Sequence, residues 1–70
     1  MRIAFTGNTL RCEGALPVAK ARAAALKERC EKAGLSQDVD SYFDSSALAV
    51  VRIVYVFGEL QVFISAELVS

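Results

Sequence analysis

Residues 48–69 restrict what this chain can become more than any other stretch. Apolar side chains fill most of it on both parities, and Gly58-Glu59 interrupts it near its middle. A Gly-X pair between two apolar runs suits a type II prime turn, so the segment reads as a hairpin with arms 48–57 and 60–69. Pairing across that turn sets Ala49, Val51, Ile53, Tyr55 and Phe57 against Leu68, Ala66, Ile64, Val62 and Leu60, a wholly apolar face. The reverse face sets Val50, Arg52, Val54 and Val56 against Glu67, Ser65, Phe63 and Gln61, with Arg52 and Glu67 as diagonal neighbours. Arms of about ten residues span roughly 33 Å, nearly double the usual strand.

The rest of the chain has to cover this hairpin. Gly7-Asn8 separates residues 2–6 from 9–13 and predicts a shorter hairpin, with Phe5 opposite Leu10, Ile3 opposite Cys12 and Arg2 opposite Glu13. A helix follows, opened by Gly14 and Pro17 and closed by Gly34 as a left-handed cap, with Leu35 available for the closing contact. Leu16, Ala19, Ala23, Leu26, Cys30 and Ala33 recur at spacings of three and four and form its inner stripe. That stripe is mostly alanine, so the helix approaches a sheet closely and leaves the sheet to supply the apolar area. Lys27 with Glu31, and Glu28 with Lys32, form i,i+4 pairs on the outside. Residues 35–47 are rich in Ser and Asp and read as an irregular connection containing a short edge strand, a single helical turn being the competing pattern.

A helix screens only one face of a sheet. Val50, Arg52, Val54, Val56, Gln61, Phe63 and Glu67 therefore form the candidate interaction surface, since an uncovered apolar patch on a small domain marks a contact site. With seventy residues, a single core supplies only about 3 to 5 kcal/mol, and a partner chain is one of the usual supplements.

Charge and chemistry narrow the function classes. Eight basic and eight acidic residues cancel, but residues 1–34 hold seven basic against three acidic (+4) and residues 35–70 one against five (−4). Lys20, Arg22, Lys27 and Arg29 flank the helix's inner stripe and form a possible basic stripe, although charged outer faces are ordinary for amphipathic helices. The zero balance disfavours a nucleic-acid module held by bulk charge. Asp38, Asp40 and Asp44 do not make a calcium loop, because Tyr42, Phe43 and Ala49 stand where an oxygen ligand, a glycine and a bidentate glutamate belong, and they read as a solvated acidic loop. The chain has no histidine, so Cys12 and Cys30 lack the usual base and a full set of zinc ligands, and both read as reduced packing residues on inner faces. No glycine-rich phosphate loop, metal set, cofactor site or catalytic constellation is indicated, and an enzyme is not expected. No apolar run is long enough to span a bilayer, and the Met1-Arg2-Ile3-Ala4-Phe5-Thr6 start carries no leader pattern, so cytoplasmic residence is the expectation.

The expected fold is one α+β domain over residues 1–70, ordered β-β-α-(β)-β-β, with a four- or five-stranded antiparallel sheet carrying one helix on one face. The expected function is non-enzymatic protein binding, with self-association as a homodimer or higher oligomer through the last hairpin. In layout and size, the hairpin, alanine-rich helix and following strands resemble small phage-encoded inhibitors of the anti-CRISPR type. That resemblance implies a monomer or dimer that occludes a site on a host complex, and it transfers no functional residue. Two alternatives are an oligomeric dodecin-like shell, which such a resemblance would supply with a flavin between subunits, and a weak nucleic-acid binder using the basic stripe. The stacking aromatic and the short single first strand of the dodecin-like layout are not evident in the sequence.

Overall fold

The computed structural model describes residues 3–7 and 13–66. It is an α+β fold in which one helix packs on a sheet with three antiparallel strands. The elements are β1 (Ile3–Gly7), a 3-10 turn (Glu13–Ala15), α1 (Leu16–Ala33), β2 (Gln37–Asp44), β3 (Ala49–Val56) and β4 (Glu59–Ala66), and the sheet order is β1-β4-β3-β2. β2, β3 and β4 form the antiparallel part, and β1 joins it beside β4 in parallel, with Ile3 opposite Leu60 and Gly7 opposite Ile64.

Three expectations change. The sheet is not antiparallel throughout, because β1 pairs with the strand most remote from it in sequence. The second arm of the expected first hairpin, residues 9–13, lies outside the described residues except for Glu13, which opens the 3-10 turn instead. Finally, the edge strand expected within residues 35–47 is present, but it is a full eight residues, 37–44, and not a short strand in an irregular connection.

The helix forms where the spacing places it. Ala15, Ala19, Ala23, Leu26 and Cys30 are buried along one side, whereas Ala33, expected on the same stripe, is exposed in the last turn. Gly34 takes the left-handed conformation (φ 70°), and the Leu35 N–H donates to the Cys30 carbonyl at 2.9 Å, the bond that closes a Schellman cap. Opposite the helix lie Ala49, Val51, Ile53 and Tyr55 of β3 and Leu60, Val62 and Ile64 of β4, all buried. Alanine on the helix and branched residues on the strands divide the core as the sequence implied. Cys30 is buried in that core, and burial pushes its thiol pKa upward; Cys12 lies outside the described residues.

The last hairpin turns one residue earlier than expected, and residues 67–69 of its second arm lie outside the described residues. Val56 pairs with Glu59, so the loop is Phe57-Gly58, and the strands have eight residues each. Both loop residues have positive φ, 45° at Phe57 and 86° at Gly58, as a type I prime turn requires. Phe57, expected on the helix-facing side, instead stands 75% exposed at the tip. A bulky side chain in the left-handed region costs about 1 kcal/mol, and asparagine is preferred there. Phe57→Asn should therefore raise the urea midpoint at high dilution by the equivalent of about 1 kcal/mol, with an unchanged slope. A lowered midpoint would remove strain at Phe57 from the account.

Candidate interaction surface

On β2 the usual alternation is inverted. Asp38, Asp40, Tyr42 and Asp44 lie on the helix side, and Gln37, Val39, Ser41 and Phe43 lie on the open side. The acidic side chains tolerate this because the helix brings cations to them. The Arg22 guanidinium donates to both carboxylate oxygens of Asp40 at 2.9 and 3.1 Å and lies 4.1 Å from the centre of the Tyr42 ring. Arg29 donates to Asp38 at 2.7 Å. Asp44 organises the following turn by accepting from the Ser46 hydroxyl and the Ala47 N–H. Among the described residues, the Tyr42 hydroxyl is buried without a hydrogen-bond partner.

These contacts correct two readings. The three aspartates are strand and turn residues, two of them in ion pairs, and not a solvated loop. The basic stripe is largely engaged within the chain: Arg22 and Arg29 hold β2, Lys27 pairs with Glu31 at 3.4 Å, and Lys20 is exposed and belongs to none of the described ion pairs. Lys32 pairs with Glu28 at 2.8 Å.

The Arg29 hydrogen bond holds the Asp38 carboxyl below its ordinary value, and the Arg22 hydrogen bond does the same for Asp40. A carboxylate whose pKa is lower folded than unfolded stabilises the fold above the unfolded value and loses that contribution as pH falls through the folded one. Stability should thus drop as pH falls below the ordinary aspartate value of 3.8. The acid limb of an unfolding profile should be shallower for Asp40→Asn than for the wild type. Parallel acid limbs would mean that the Arg22 pair contributes nothing.

Among the described residues, nothing packs over the other side of the sheet. Register places its residues in four rows: Gln37, Val56 and Glu59; then Val39, Val54 and Gln61; then Ser41, Arg52 and Phe63; then Phe43, Val50 and Ser65. Six candidates from the sequence, Val50, Arg52, Val54, Val56, Gln61 and Phe63, come together on this face, whereas Glu67 lies outside the described residues. Val54 and Phe63 are half-buried by their neighbours, and the others are exposed. The Arg52 guanidinium lies 5.5 Å from the centre of the Phe63 ring. Beside them a shallow depression of about 310 Å³ is lined by Ser41, Val50, Arg52, Phe63 and Ser65.

Sequence reasoning missed Val39 and Phe43, which are 50% and 55% exposed at the β2 edge of the same face. Their alternation was visible, but the aspartates between them obscured which side faced the core. No described helix is long and apolar enough to cross a membrane. The chain matches no family model, no curated protein and no solved structure.

Proposed function

We propose that this chain is a small non-enzymatic protein-binding module that self-associates through the open face of its sheet. The observation that carries this reading is the position of Val39, Phe43, Val50, Val54, Val56 and Phe63 on one continuous face that α1 does not cover. Water-exposed valine and phenylalanine at this density favour burial against another apolar surface.

Edge addition is the competing geometry, and β2 argues against it. An edge strand with inward-facing charges resists pairing with another strand, and Asp38 and Asp40 supply such charges. The acidic and basic groups that β2 and α1 bring together, Asp38 with Arg29 and Asp40 with Arg22, neutralise each other and hold β2 to the helix, which favours a structural role over a catalytic one.

Solution mass tests the reading. Sedimentation velocity of the full chain at micromolar concentration should give twice the monomer mass and return to the monomer on dilution. A single monomeric species across that range would overturn it.

A further inference from the structure

We infer that the two copies stack face to face about a two-fold axis that runs across the strands, at right angles to β3 and level with Ile53. This rests on the self-association reading and specifies its geometry and its charge contacts. The open face carries one cation and one anion among the described residues, Arg52 near its middle and Glu59 at one end. Neither belongs to any of the described ion pairs. Any dimer that covers this face must bury Arg52, and a buried guanidinium needs a carboxylate.

Two symmetric stackings are available, and strand spacing separates them. If the axis ran along the strands, each residue would stay level with its own counterpart, and Arg52 would lie four residues along the strand from the second copy's Glu59, about 13 Å. Arg52 would also lie level with the other Arg52. With the axis across the strands, Arg52 moves to the level of the second copy's Val54, one row from Glu59, and the offset falls to about 7 Å. Arginine and glutamate side chains reach across that offset, and the symmetry forms the pair twice.

The same rotation lays each hairpin tip over the opposite end of the other copy. Phe57 then comes over the end that carries Phe43 and Leu48, and Leu48 is itself 62% exposed with φ 49°. Both of the bulky residues with positive φ lie at the ends of this one face, which gives them an apolar surface to meet. β2, β3 and β4 with eight residues each and β1 with five present roughly 450 Å² from each copy before the tips are added, close to the lower bound of a specific interface. At that size the charge pair and the tips decide whether the dimer forms.

Charge reversal tests the arrangement in the full chain by sedimentation velocity, with circular dichroism to verify the fold. Arg52→Glu and Glu59→Arg should each weaken dimerisation about tenfold, and the double reversal should recover to within about threefold of the wild type. Phe57→Asn should weaken the dimer while making the monomer more resistant to urea. A wild-type dimer whose double reversal is no better than either single change overturns this arrangement and leaves self-association standing. A wild-type monomer overturns the sheet-face reading itself.

Discussion

Ile53→Ala should leave much of the chain unfolded in dilute buffer at room temperature. Ile53 is fully buried at the centre of β3, an interior strand of the sheet. Its neighbours across the sheet are Val62 on β4 and Asp40 on β2, and the alanines that make up most of the inner side of α1 are too short to fill the gap. Removing a buried isoleucine costs about 2 to 5 kcal/mol, the excess over simple transfer coming from the cavity that remains. A core of this size supplies only about 3 to 5 kcal/mol, so one substitution consumes most of it. Urea titration followed by circular dichroism should show a lost or strongly shifted transition. A loss below about 1 kcal/mol would mean that the helix closes onto the sheet freely, contrary to a core held at fixed spacing by alanine.

Val54→Glu should have the opposite profile, with the fold retained and the dimer lost. Val54 sits on β3 between Val39 and Gln61 at the centre of the open face, and only half of it is covered by neighbours within the chain. In the monomer the new carboxylate reaches water, and the cost stays within about 0.5 to 1 kcal/mol. In the stacked dimer it is desolvated, and burying an ion costs several kcal/mol unless it is well paired. Association should weaken at least a hundredfold, about 2.8 kcal/mol, moving the species at micromolar concentration from dimer to monomer. Phe63→Glu should act in the same direction, less cleanly, because Arg52 lies against the Phe63 ring. An unchanged mass with either variant would place the contact elsewhere.

The faces of the last hairpin were legible in the sequence even though its turn was not. The turn moves by one residue, from Gly58-Glu59 to Phe57-Gly58, which shifts every pairing by two. A two-residue shift keeps each side chain on its face, so Val51, Ile53, Tyr55, Leu60, Val62 and Ile64 remain core and Val50, Val54, Val56 and Phe63 remain outside. Phe57 hid the turn, since a phenylalanine seldom occupies a left-handed position. β2 was obscured for a different reason. Its core-side residues are Asp38, Asp40 and Tyr42, and their polarity reads as loop until Arg22 and Arg29, distant in sequence, come alongside. The parallel pairing of β1 with β4 is equally non-local, and no short-range pattern announces it. Half of the basic stripe looked available for a partner because the residues that occupy it lie on the strand whose sidedness was unread.

Solvent access to the valine methyls tests the central claim most directly. With a soluble paramagnetic probe and the full chain at a concentration where it associates, the methyls of Val39, Val50, Val54 and Val56 should be shielded. Val18, exposed on the helix, should relax quickly as the internal reference. Dilution should remove the shielding on the sheet and leave Val18 unchanged. Sheet-face methyls that relax as fast as Val18 at every concentration would contradict the assignment of this face as the surface where two copies meet.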